Sequence, residues 1–378
     1  MTYFDCAATS FPKPPEVREA VIRAIEKEGG NAGRGAHALS LAAAERVYSC
    51  REVTARFIGS AHPETVVFTM NATYALNIAI KALIKPRSRV VCTSFEHNSV
   101  IRPLTAMGCR ITRIDPRAGE DEFIASLRRE IARRTDAVVI THASNVIPLS
   151  VPVGRAAVLC RAAKVPCIVD ASQSAGTIPL DMQSVPADAI CFPAHKGLQG
   201  IAGCGVCVFG EQYRENACAL SSVIEGGSGV NSLERGMPAV LPERFEAGTL
   251  CIPAIAGLEA GIRFIERIGV DAVREHEFTL ARKLRDLLRA VNGVKVYDPV
   301  GRGGGVVLFN VGDKPPEHVA RELNEHGFCV RAGLHCAPDA HKSLGTLPRG
   351  AVRASFGVFN TEKEVDDLIR TLDGILKT

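Results

Sequence analysis

The stretch "CFPAHKGLQG" (Cys191 to Gly200) ends an apolar, strand-like run on a histidine and a lysine, then turns through glycine. A surface lysine needs no such setting, and at the end of a buried strand an ammonium is costly unless something uses it. Five more short runs rich in β-branched residues surround this one in sequence. They are "TVVFT" (Thr65 to Thr69), "RVVCTS" (Arg89 to Ser94), "DAVVITH" (Asp136 to His142), "VPCIVD" (Val165 to Asp170) and "GVCVFG" (Gly205 to Gly210). Continuous apolar runs of this length read as strands covered on both faces. Between them, "ATYALNIAIKALI" and "VGRAAVLCRAAK" carry helical spacing. Strands alternating with helices predict βαβ units on a mostly parallel sheet, an α/β fold.

Upstream, Val17, Val21 and Ile25 lie between "PKPP" and Gly29–Gly30, which predicts a helix with a proline-rich start and a glycine stop. Downstream, a long amphipathic pattern from Ile255 to about Val291 leads to a second, smaller unit. That unit reads strand "GVVLFNV", helix "PEHVARELNEHG", strand "FCVRAG", strand "AVRASF" and helix "EKEVDDLIRTLDGIL".

The 378 residues leave room for a large core, and 46% hydrophobic with 23% charged residues is ordinary globular usage. A net charge of +4 with no Trp argues against nucleic acid, which would want a basic stripe interleaved with aromatics. The densest basic cluster, "SLRREIARR" (Ser126 to Arg134), has the spacing of a solvated helix face. Lys, Arg or Asp interrupts every apolar run before it reaches the roughly 20 residues of a membrane span. Thirteen cysteines, most of them inside apolar runs, after an opening "MTYFDCAATS" without a signal-like pattern, point to a reducing cytoplasm.

In parallel sheets ligands bind beyond the carboxyl ends of the strands. The residues found there are Asn71 and Thr73, His97, His142 and Asn145, Asp170 and Gln173, and His195 and Lys196. Asp170 closes "CIVD", where a carboxylate wants a cation, and a protonated pyridine nitrogen would serve. Lys196 at a neighbouring strand end could form a Schiff base with an aldehyde. Lysine and aspartate across one crevice are the pattern of a pyridoxal 5'-phosphate site. The turn "TMNATYALN" supplies a helix N-terminus and the Thr73 hydroxyl for the phosphate.

With these residues in place, the chain resembles the pyridoxal phosphate-dependent cysteine desulfurases and selenocysteine lyases of the class V aminotransferase fold. The likeness rests on "FDCAATS", "GRGAHALS", "FEHNS", "HASNV", "IVDASQSAG", "AHKG", "RFEAGT", "VRAGLHCAP" and "VRASFGVFNT", nine motifs in the family's order. It implies the type I fold of pyridoxal phosphate-dependent transferases, with a large mostly parallel sheet domain and a smaller C-terminal α/β domain. Residues 1–15 would associate with the small domain, 16–255 would bind the cofactor, and 256–378 would form the small domain.

Carried over, the resemblance makes Lys196 the cofactor-holding and proton-shuttling lysine and Asp170 the partner of the ring nitrogen. His97 would stack on the ring, Gln173 would meet the phenolic oxygen, and Asn145 would lie near the ring and the substrate carboxylate. Thr73, His195 and the Ala72 amide would hold the phosphate, with Thr249 of a second subunit completing the site of a homodimer. Arg353 would clamp the substrate carboxylate, and Cys336 would accept sulfur. The implied reaction takes L-cysteine to L-alanine, with L-selenocysteine as a second substrate, and leaves a persulfide on Cys336 for an acceptor protein or a small-molecule reductant. No metal is expected. The chain departs from many relatives at Pro193, where a serine would donate to the phosphate; proline offers neither hydroxyl nor amide hydrogen.

Other readings of the same residues stand beside these. Cys336 could be a small buried hydrophobe, although Arg331, His335 and His341 flank it, and cationic neighbours make a cysteine nucleophilic. Cys204 and Cys207 have redox spacing but sit in a strand-like run, so core packing is expected. His37 lines an entrance or caps a helix. An aminotransferase, epimerase or kynureninase-like enzyme would need the lysine and aspartate but no cysteine, and a non-catalytic sulfur carrier would need no turnover.

Overall fold

The computed structural model of the chain describes residues 1–33, 35–230, 232–298 and 303–377. Arg34 of the motif "GRGAHALS" lies outside them. The strands are β1 (Thr2–Tyr3), β2 (Val66–Thr69), β3 (Arg89–Thr93), β4 (Arg110–Ile114), β5 (Ala137–Thr141), β6 (Cys167–Asp170), β7 (Ala189–Pro193), β8 (Gly205–Phe209), β9 (Val294–Tyr297), β10 (Val306–Val311), β11 (Phe328–Cys329), β12 (Arg331–Gly333) and β13 (Ala351–Ser355). The α-helices are α1 (Pro15–Lys27), α2 (Ala38–Phe57), α3 (Ala72–Leu83), α4 (Asn98–Ala106), α5 (Glu120–Ala132), α6 (Val153–Ala162), α7 (Ile252–Ile268), α8 (Val270–Ala290), α9 (Pro316–Glu325), α10 (Pro338–Leu344) and α11 (Glu362–Lys377).

Seven strands form one sheet in the order β2-β8-β7-β6-β5-β3-β4, and all run parallel except β8. The residues of β5, β6, β7 and β8 are buried throughout, as near-continuous apolar runs require when helices cover both faces. One face packs Val47 of α2, Ala156 of α6 and Ile255 of α7 against Val138, Val169 and Ile190. The other packs Leu76 of α3 and Leu104 of α4 against Cys92, Val139 and Cys191. Cys204 and Cys207 are both buried in this core.

A second, antiparallel sheet has the order β12-β13-β10-β9. Its core joins Leu284, Phe309, Val352 and Leu368 to Phe4 from the chain's start. β1 pairs in parallel with β11, so the first residues are stitched to the second sheet. A small cluster of Phe95, Ile147, Leu308, Ala337 and Ala351 bridges the two sheets at the site described below. No helix among the described residues is long and apolar enough to cross a membrane.

Four departures from the sequence reading have physical causes. "RITRI" at β4 shows no apolar run because its side chains are mostly solvent-exposed, and β9, with Lys295 exposed and its other three residues half-buried, carries an equally weak signal. The pattern expected from Ile255 to Val291 is two helices, broken at Gly269 with φ of 90°. "FCVRAG" is two short strands that serve different partners, β1 and β13. In α1 the inward stripe is Val17 and Ala24, while Ile25 faces outward at 62% exposure.

Candidate active site

Because β3, β5, β6 and β7 run parallel, their carboxyl ends open on one side. There His97, Asn145, Asp170, Gln173, His195 and Lys196 line a single cavity of about 230 Å³ with Ala72, Thr73, Cys336 and Arg353. All the residues given a role but Thr249 meet there, while His142, also at a strand end, is buried and does not line the cavity. Thr249, exposed, lines a separate cleft of about 1060 Å³ with Gly227, Tyr48 and Arg51, so within one chain it is not part of the Lys196 cavity.

Lys196 is partly accessible into this cavity. Burial lowers its pKa to about 8, against the pull of the Asp170 carboxylate, and the Arg353 and Arg331 guanidinium groups reinforce the fall. Asp170 is 2% exposed. Its Oδ1 accepts the Ser172 N–H at 2.9 Å, which leaves Oδ2 for a donor in the cavity. His195 is held neutral, its pKa lowered to about 4 by burial and then by Lys196 and Lys13. Its buried Nδ1 has no partner among the described residues.

The turn before α3 is shaped by Asn71, whose Oδ1 caps the helix by accepting the Tyr74 N–H at 3.1 Å. Gly205 on β8 permits it, since a Cβ there would stand 2.2 Å from the Asn71 carbonyl carbon. The Thr73 hydroxyl at this helix start is 2.8 Å from Ser99 Oγ, itself 2.8 Å from His97 Nδ1. Nδ1 also accepts the Ser99 N–H at 3.1 Å, making His97 the cap of α4. Burial lowers its pKa, opposed by Asp170.

Arg353 on β13 is 2% exposed. Its Nη2 donates to Asp5 Oδ1 at 2.6 Å and its Nη1 to the Asn145 carbonyl at 2.9 Å, while Nε is buried without a partner among the described residues. The clamp predicted for a substrate carboxylate is therefore half engaged. Nε–H and the second hydrogen of Nη2 remain for an incoming carboxylate. The Asn145 amide donates to the His335 carbonyl at 2.6 Å, so it braces the cysteine loop. Gln173 Nε2 donates to the Ala7 carbonyl at 3.0 Å.

Cys336 is exposed, which removes the reading of a buried packing thiol. His335 and Cys336 both have left-handed backbone, φ 50° and 56°, a costly conformation for residues with a Cβ. The loop is held in it by the Asn98 N–H, which donates to the Cys336 carbonyl at 2.7 Å, and by Asn145 on the His335 carbonyl. The expected cationic histidines are absent: His335 Nδ1 and His341 Nε2 are 3.1 Å apart, His341 Nδ1 lies 2.8 Å from Thr346 Oγ1, and burial holds both rings neutral, His341 down at about 4. Of the three flanking groups, only Arg331 brings charge.

Some contributors carried no assignment from sequence. Asp5 pairs with Arg353, and the Thr9 and Ser10 hydroxyls, the Ser10 N–H and Lys13 Nζ all donate to the His195 carbonyl. The start of the chain thus straps the peptide next to Lys196. Its motif "FDCAATS" was visible, but not that Asp5 would reach a residue 348 positions away. Glu96 Oε1 staples β3 to β5 through the Thr93 N–H and hydroxyl and the Thr141 N–H, and its pKa rises to about 8 by burial. His37 caps α2 through Nδ1. Pro193 sits buried on β7, opposite Gly205.

The class-V aminotransferase profile matches residues 2–368, and the chain belongs to that family. Within it, a probable cysteine desulfurase of Halalkalibacterium halodurans is 33% identical over 99% of this chain and 92% of its own. One from Pyrococcus abyssi is 32% identical over 100% and 94%. The solved apo structure of a cysteine desulfurase from Thermococcus onnurineus superposes with a TM-score of 0.90, at 32% identity over 100% of this chain and 94% of that one.

Proposed function

We propose that the protein is a cysteine desulfurase that takes L-cysteine to L-alanine, leaves sulfur on Cys336, and works with pyridoxal 5'-phosphate. The observation that carries this is the convergence on one cavity of a buried-strand lysine, a buried aspartate and an exposed cysteine on a pinned loop. The residues fit the cofactor. The α3 start with Thr73 and the His195 Nδ1, unpartnered among the described residues, suit a phosphate, the second oxygen of Asp170 suits a ring nitrogen, and His97 lines the same cavity. When bound, pyridoxal phosphate supplies an aldehyde for the substrate amine and a ring that takes up the electron pair left on the α-carbon.

The chain's own groups do the rest. Arg353 Nε and Nη2 hold the substrate carboxylate side-on. Lys196 Nζ, with its pKa drawn to about 8, removes the α-proton and returns one. The Cys336 thiolate attacks the substrate sulfur, so that an S–S bond forms and the C–S bond breaks, with the electron pair left on carbon and then protonated. The persulfide stays exposed for a protein acceptor or a small-molecule reductant. Thr249 lies in the cleft beside α2, where Leu41 and Tyr48 are exposed; a second copy seated there would bring Thr249 to the neighbour's phosphate, making a homodimer. Residues 1–15 belong with the second sheet, 16–255 with the cofactor and 256–378 with the smaller unit. Thirteen free cysteines suit a reducing cytoplasm.

A Cys336→Ala variant tests the reading. Alanine and sulfide release from L-cysteine should fall at least a hundredfold while cofactor absorbance still responds to L-cysteine. L-Selenocysteine, with a better leaving group, should keep part of its rate. Alanine from L-cysteine at the wild-type rate would assign a plain lyase or an aminotransferase instead.

A further inference from the structure

Lys196 also faces a second space. Behind it a cavity of about 30 Å³ is lined by Cys6, Ser10, Gln199, Glu277 and Gly305, and Lys196, Ala7, Ala143 and Gln173 line both this cavity and the active site. Glu277, on α8, is 6% exposed, and no group among the described residues hydrogen-bonds its carboxyl. Gln199, held in a left-handed turn with φ of 59°, has a buried Oε1 with no partner among the described residues. Gly305 is required here, since a Cβ on it would press within 2.8 Å of the Glu277 Cβ. The space is therefore lined by a carboxyl and an amide oxygen that have no partner among the described residues. Its volume suits one or two waters, each needing about 10–15 Å³ and two or more polar partners.

We propose that this cavity binds ordered water joining the Glu277 carboxyl and Gln199 Oε1 to Lys196 Nζ, which makes Glu277 a positioning residue that holds the exchangeable proton for the lysine. A buried carboxyl without a partner among the described residues is otherwise costly. Protein packing alone pushes its pKa up to about 8, close to that of the amine, so a proton passes between them at little cost. In the transfer, an N–H of the Lys196 ammonium gives its proton to the water while that water gives one to the Glu277 carboxylate. One N–H and one O–H bond break, two O–H bonds form, and charge is conserved. Lys196 is also faced by Asp170, Arg353, Arg331, Asp5, His97 and His195, and Glu277 by Cys6. These stay constant when Glu277 alone is changed. The inference rests on Lys196 as the proton-moving amine, but it is read without turnover and so fails separately from the desulfurase assignment.

The test uses cofactor-free protein. The rate of Lys196 acetylation by acetic anhydride is followed peptide by peptide by mass spectrometry across the pH range around 8, and crystals of wild type and variants are examined for water between Glu277 and Lys196. Glu277→Leu should empty the cavity and, by removing hydration from behind the amine, lower the midpoint of Lys196 reactivity by about one pH unit. Glu277→Gln should keep the water and show a smaller fall. A dry cavity in the wild type would overturn the proposal, as would a midpoint unchanged or raised in either variant. Should the leucine variant fail to fold, the near-isosteric glutamine variant and the wild-type crystal still decide.

Discussion

Replacing Asp5 by Asn removes one charge, keeps the shape, and leaves the Arg353 guanidinium buried at 2% exposure with only the Asn145 carbonyl and an amide oxygen for company. Removing one partner of a fully buried pair costs about 3–5 kcal/mol. The Asp5 side chain is 20% exposed, and water reaching it reduces the loss to about 2 kcal/mol, a fall of a few degrees in melting temperature for a chain of this size. The same deletion creates an unmet cation in the cavity, so a carboxylate ligand should recover part of the loss. Thermal melts of wild type and Asp5→Asn, with and without acetate or L-alanine, measure both effects. The variant should melt lower without ligand and gain more from the carboxylate than the wild type does. Equal melting temperatures, or equal gains, would show that Asp5 is not the counter-charge of Arg353 and would undo the side-on geometry given to the substrate.

Gly205→Ala places a Cβ 2.2 Å from backbone at Asn71. Overpacking of this kind costs about 1–3 kcal/mol, and it is directed at the start of α3, so pyridoxal phosphate affinity measured by absorbance titration should fall about tenfold or more. Burial holds His142, His195 and His341 at about 4 against the usual 6.5. Depressed pKa values mean the unfolded chain takes up protons first on acidification, so these groups contribute stability above pH 6.5 that is lost as pH falls toward 4. Glu96 and Glu277 act in the opposite sense, since their raised values favour the fold at low pH and lose that contribution between 4.5 and 8. The informative quantity is therefore the difference: His341→Gln should flatten the acid side of a melting-temperature profile relative to wild type, and an unchanged slope would show that this imidazole does not titrate on unfolding.

What was legible in sequence is what short-range physics encodes. Strands covered on both faces must be apolar runs, so the central strands of the large sheet stood out, and polar residues at their ends marked the cavity because a parallel sheet gathers those ends on one side. Lys196, Asp170, His97 and Asn145 were found in this way or by motif, and the structure brings them together. The solvated edge strand β4 and the short β9 escaped, because an exposed side chain leaves no hydrophobic period to read. Partnerships across long sequence separation escaped for another reason: nothing local distinguishes Asp5 or Lys13 from any surface charge until the first strand pairs with β11 and carries them to Arg353 and the His195 carbonyl. The charge state of His335 and His341 was likewise a tertiary matter, since sequence placed two imidazoles beside Cys336 and only packing, by stripping their water and turning them toward each other, made them neutral. The chain's local chemistry determined which groups exist at the strand ends. The fold alone decided which of them are paired, which are neutral, and which, like Arg353 Nε and the Glu277 carboxyl, have no partner among the described residues.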